Sequence, residues 1–149
     1  MMVEIEGLEE LSTLLTEIAP TAAKRYLSKV AEPAAEVVIA SMKQTVPVDI
    51  GILEEGFGWQ KKWLNDGDET TMEITIGPLK PYFWGSLQEF GTQDVSGTGK
   101  KSGKHFHHAS QPAQHWMSRA WEACKEDCLS VFVQGVNDLL QKLRRGDAS

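Results

Sequence analysis

Tyr82-Phe83-Trp84-Gly85-Ser86-Leu87-Gln88-Glu89-Phe90-Gly91-Thr92 is the stretch that organises this chain. Three aromatics open it and Glu-Phe-Gly-Thr closes it. The pattern predicts a short helix that stops at Gly91, because only glycine adopts positive φ without steric cost. Phe90 is expected to pin the corner to the core. Glu89 falls next to a helix C-terminus, whose partial negative charge disfavours a carboxylate. It should therefore have a partner elsewhere in the chain, a backbone N–H or a cation.

Working outward, the segment before this stretch reads as a β-hairpin. Phe57, Trp59, Lys61 and Trp63 fall on one face of a strand, Asn65-Asp66-Gly67-Asp68 makes the turn, and Met72, Ile74 and Ile76 alternate on the return strand. Earlier still, Pro47-Val48-Asp49-Ile50-Gly51-Ile52-Leu53 breaks the helical period, since proline constrains its predecessor and Asp and Gly supply turn chemistry. Two helical patterns precede it. Leu8, Leu11, Leu14, Leu15 and Ile18 form one, and Ala22 to Met42 the other, with Pro33 inside it. Pro33 is expected either to kink a helix or to open a separate one. Met2 to Glu6 alternates apolar and acidic residues, as a short half-buried strand does.

On the other side, residues 93–111 are rich in Gly, Ser and Lys, and predict a mobile loop with Lys100, Lys101 and Lys104 at a basic tip. Pro112 is then expected to open a long C-terminal helix, in which Met117, Ala120, Trp121, Cys124, Cys128, Val131, Val136, Leu139 and Leu143 keep helical spacing. The fold class is α+β: a small antiparallel sheet, from the N-terminal strand and the hairpin, packed against helices that include the long C-terminal one. One domain over residues 1–149 is expected for this length.

Composition narrows the function. A net charge of −6 argues against a general nucleic-acid binder, which would be basic. Two cysteines make no disulfide framework, and no apolar run approaches the length of a membrane span. Acids stand where a signal peptide would carry bases, so folding in a reducing cytoplasm is expected, with no membrane association. His105, His107, His108 and His115 with Cys124 and Cys128 could be read as zinc ligands or as a Cys–His pair. However, the histidines sit in the most flexible segment and the cysteines look like small core residues. Asp49, Glu54 and Glu55 read as a solvated turn, and Gly97-Thr98-Gly99-Lys100-Lys101 lacks phosphate-loop spacing. No cofactor, metal or catalytic residue is expected.

Taken together, Glu4-Ile5-Glu6-Gly7-Leu8, Pro47-Val48-Asp49 with Gly51 and Leu53, Tyr82, Glu89-Phe90-Gly91-Thr92, and Pro112 with Trp116 to Ala120 resemble the tail-component family of long-tailed bacteriophages. These are the small tail-completion, head–tail joining or neck proteins. Ile50 departs from the small hydroxyl residue usual in the family, as do Trp116 from Phe and Ser118-Arg119 from Arg-Pro.

The resemblance implies a structural virion protein made in the bacterial host cytoplasm and located in the phage or prophage tail or neck. It implies subunits of a ring, often sixfold, that can be monomers in isolation. The ring would meet tail-tube and head-connector proteins, with DNA passing through its lumen. On this reading Pro47, Asp49, Gly51, Leu53, Tyr82, Glu89, Phe90, Gly91 and Thr92 are motif or interface candidates, and Lys100, Lys101 and Lys104 are loop contacts. The alternatives are a non-viral protein- or peptide-binding module that uses the Trp-rich hairpin, and a small metal enzyme that uses the His/Cys set.

Overall fold

The structure, a computed structural model, describes residues 6–46, 56–67, 69–80 and 84–146. The fold is α+β, with four helices and two small antiparallel sheets of two strands each. The helices are α1 (Leu8–Glu17), α2 (Pro20–Thr45), α3 (Trp84–Phe90) and α4 (Trp116–Arg144). The strands are β1 (Phe57–Asp66) and β2 (Glu69–Pro78), then β3 (Val95–Thr98) and β4 (His105–His108). The expected N-terminal strand lies outside the described residues.

The chain divides into two compact units, one comprising Met1–Val38 and Cys124–Ser149 and the other Ile39–Ala123. In the first, Leu11 of α1, Val30 of α2, and Val136, Leu139, Leu140 and Leu143 of α4 form a buried aliphatic cluster. Each comes from a helical i, i+3 or i+4 series, which places it on one stripe. Full burial of such a side chain stabilises by about 1.5–3 kcal/mol. Gly7, at φ 83°, leads into α1 against α4. That positive φ favours glycine, and a Cβ there would stand 2.8 Å from Leu140 Cδ2, which would have to turn aside.

α2 runs through Pro33 as one helix, so of the two alternatives expected there Pro33 does not open a separate helix. Pro20 is its first residue, where a missing N–H costs nothing, and Ala19 O accepts from Ala22 N at 2.9 Å and from Ala23 N at 3.0 Å.

In the second unit, β1 and β2 pair in register from Phe57↔Pro78 to Asp66↔Glu69, a longer ladder than the alternation alone marked out. Gly67, at φ 61°, begins the connection as the Asp-Gly turn signal predicts. Trp59 and Trp63 are half-buried and Leu64 is exposed.

α4 begins at Trp116 rather than at Pro112. The N–H groups just after the proline serve another element. Gln114 N donates to Gln88 O at 2.8 Å and His115 N to Glu89 O at 3.2 Å. These bonds satisfy carbonyls that the C-terminus of α3 would otherwise leave open. His115 takes φ 49°, the one positive value for a non-glycine among the described residues.

Residues 93–111 are not a structureless loop. β3 and β4 pair from Val95↔His108 to Thr98↔His105, and an isolated bridge joins Thr92 to Gln111 at their base. Phe106 lies over its cross-strand partner Gly97, where a Cβ would come within 3.0 Å of the ring. The missing side chain gives the ring its seat, as aromatics do beside glycine in small sheets.

Candidate functional site

Glu-Phe-Gly-Thr forms the corner that joins α3 to the start of α4. Glu89 is buried, at 2% exposure. Its Oε2 accepts from Met117 N at 2.6 Å, and its Oε1 accepts from Ser118 N at 3.1 Å and from the Ser118 hydroxyl. Met117 and Ser118 are the second and third residues of α4, whose amides have no intrahelical acceptor. The expected distant partner of Glu89 is thus a backbone helix terminus. A carboxylate suits that end on both hydrogen-bonding and dipole grounds. The cap comes from another helix, where ordinarily it comes from the residue just before the first turn.

Phe90 does not pin this corner. It is 73% exposed. One residue advances a helix by about 100°, so turning Glu89 inward turns Phe90 out. The anchor is Trp116, at 0% exposure. Its indole Nε1 donates to Gly85 O at 3.1 Å, and its ring meets Phe57 with centroids 5.1 Å apart. Hydroxyls near the end of α2 fasten the same turns of α4: Thr45 Oγ1 donates to Trp116 O at 3.1 Å and Ser41 Oγ to Ala120 O at 2.8 Å.

Gly91, at φ 75°, ends α3 as expected. A Cβ on it would stand 2.7 Å from Gln111 O and 2.8 Å from Ala113 N, so this corner closes on glycine alone. Thr92 N donates to Gln111 O at 2.9 Å, Gln111 N returns a bond to Thr92 O at 3.0 Å, and Thr92 Oγ1 accepts a further bond from it at 3.2 Å. Pro47, Asp49, Gly51, Leu53 and Tyr82 lie outside the described residues.

The β3–β4 hairpin carries the basic tip. Lys100, Lys101 and Lys104 are exposed, and Gly99 N donates to Lys104 O at 2.9 Å to close the turn. His105 Nδ1 lies 3.1 Å from Thr98 Oγ1, and His107 Nε2 2.7 Å from Asp94 Oδ1. His105, His107 and His108 thus lie along the exposed strand β4, whereas His115 precedes α4.

Cys124 is buried in α4, and burial with the neighbouring Cys124 pushes the half-buried Cys128 thiol up from its usual pKa. A thiol so placed is a poor nucleophile. Among the described residues no three His, Cys, Asp or Glu side chains converge as metal ligands, and no helix is long and apolar enough to cross a membrane.

Glu89, Gly91 and Thr92 of this corner fall in the motif read from the sequence, whereas the anchoring role of Trp116 and the hydroxyl contacts of Ser41 and Thr45 do not. Trp116 could have been found, because a large aromatic that opens a helix pattern after a proline-bearing segment needs both burial and an acceptor for its N–H.

The profile of a protein family described as "Bacteriophage HK97-gp10, putative tail-component" matches residues 9–91, more than half of the chain. The match runs from α1 to the glycine that closes α3, and leaves the β3–β4 hairpin and α4 outside it. Comparison with curated proteins and with solved structures gave no match.

Proposed function

Because the chain belongs to the HK97-gp10-like family of bacteriophage tail components, we propose that it acts at the head–tail interface, where it completes the tail and joins it to the head connector. The family match across residues 9–91 carries this reading. The kind of surface the second unit presents supports it. Phe90 and Leu87, three residues apart on α3, are both exposed. Large exposed aromatic and aliphatic side chains mark contacts with other proteins.

The protein works as a ring of like subunits on the virion, with DNA passing through the lumen. Such a ring closes through heterologous contacts, in which one patch of each subunit meets a different patch of the next. A subunit of this kind can be monomeric in solution and assemble only where many weak contacts act at once. The Glu89 corner sets where the β3–β4 hairpin leaves the unit, and Lys100, Lys101 and Lys104 carry its contacts to a neighbouring subunit or ring.

The test is complementation. Phage particles lacking this protein should accumulate as filled heads and unattached tails, and the purified chain should restore joining. A variant lacking residues 96–104 should retain its helical circular dichroism and fail to restore it. Infectious particles assembled without the protein would refute the head–tail role. Full restoration by the shortened variant would refute the hairpin's part in it.

A further inference from the structure

A groove of about 480 Å³ runs between α2 and α4 within the first unit. Its floor is apolar, formed by Tyr26, Val30, Val131 and Leu139. Gly135 lies at its base, where an added Cβ would stand 3.0 Å from Val30 Cγ1, so the helices meet too closely there for a larger residue to fill the cleft.

The rim is cationic. Lys29 stands on α2, and Lys142 and Arg145 follow along the C-terminal end of the chain. None of these three side chains makes a hydrogen bond or ion pair with the described residues. Arg144 differs, being spent on Glu10. Asp138 is the one carboxylate lining the groove among the described residues, and its Oδ1 is engaged by Gln134 Nε2 at 3.0 Å.

Three cations with no partner among the described residues surround an apolar floor on a chain with net charge −6. Simple solubility would be served as well by scattered charges of the prevailing sign. A nucleic-acid backbone would meet the cations, but it would leave the apolar floor unused and face the repulsion of the whole molecule. A segment that carries both carboxylates and apolar side chains satisfies both features: apolar anchors fill the floor, and acids on the flanking face meet the rim.

We propose that this groove is a docking site for an acidic amphipathic helix of another protein. The proposal does not rest on the head–tail reading, because it is measured on the isolated chain and its failure would leave particle joining untouched.

The probe is a fluorescent synthetic helix of leucine at i, i+3 and i+4 positions with glutamate between them. A matched lysine–leucine helix and a single-stranded oligonucleotide serve as controls, and fluorescence anisotropy is the readout. The glutamate helix should bind, more weakly as salt rises, and the lysine helix should not. Lys29→Glu, Lys142→Glu and Arg145→Glu together should weaken binding roughly tenfold or more without lowering the melting temperature. Val131→Asp, on the floor but outside the aliphatic cluster, should weaken it independently. The proposal is overturned if the glutamate helix does not bind, if both helices bind alike, or if the triple variant binds undiminished. It is also overturned if the oligonucleotide binds as well as the glutamate helix and loses as much in the triple variant, which would make the rim a general polyanion surface.

Discussion

The two units hold together by different chemistry. The first closes on Leu11, Val30, Val136, Leu139, Leu140 and Leu143, and its buried polar side chain among the described residues, Ser28, donates within its own helix to Lys24 O. The second closes on a buried carboxylate and a buried indole, each of which spends its polar atoms on backbone groups of another element. An aliphatic cluster tolerates volume-conserving exchange, because dispersion and desolvation carry no direction. A polar corner does not, because each group removed leaves a partner buried and unpaired. The difference locates specificity in the second unit: its corner fixes the end of α3, the start of α4 and the base of the β3–β4 hairpin together.

Substitutions can break that contrast. Trp116→Ala should have the largest effect, about 4 kcal/mol, from lost aromatic packing and the lost hydrogen bond to the Gly85 carbonyl. Leu140→Ala in the first unit should cost about 3 kcal/mol. Leu140→Met should restore most of the loss, whereas Trp116→Phe should not restore the hydrogen bond. Denaturant titrations of the four variants measure both comparisons.

Glu89→Gln keeps the volume but presents an N–H₂ group to a pair of amides. A loss of about 2 kcal/mol is expected, with faster hydrogen exchange at Met117 and Ser118 and unchanged exchange at Leu11. Unaltered protection at Met117 and Ser118 would mean that the carboxylate is not their cap. Gly91→Ala should cost about 1–3 kcal/mol, since it forces a Cβ against Gln111 and Ala113 at positive φ.

The smallest effect belongs to the Glu10–Arg144 pair on the surface of the first unit. Hydrogen bonding to Arg144 holds the Glu10 carboxyl below its ordinary range. A depressed folded-state value adds stability above the unfolded pKa and loses it as pH falls through the folded one. Melting temperatures of wild type and Glu10→Gln should therefore differ slightly at neutral pH and converge in acid. Salt should shrink the gap, as exposed pairs are screened.

The helices and the first hairpin could be read from the sequence because their signals are local: leucines at helical spacing in α1, and alternation around Asp66-Gly67 in β1 and β2. Gly91 was equally readable, since a helix stop at positive φ is a property of one residue. What escaped was set by distant partners. The apolar character of Phe90 suggested burial, yet α3 is only seven residues long, too short for periodicity to show which side faces in. The start of α4 shifted from Pro112 to Trp116 because Gln114 and His115 spend their amides on α3. The β3–β4 pairing was masked by flexible residue types, and depends on a ring seated over Gly97.

The most direct test of the account is an electron cryomicroscopy map of the assembled virion with this chain located in it. The account predicts a ring of subunits between tail tube and head connector, with the β3–β4 hairpins reaching adjacent protein. Density for the chain elsewhere in the particle, or particles complete at the junction without it, would contradict the account.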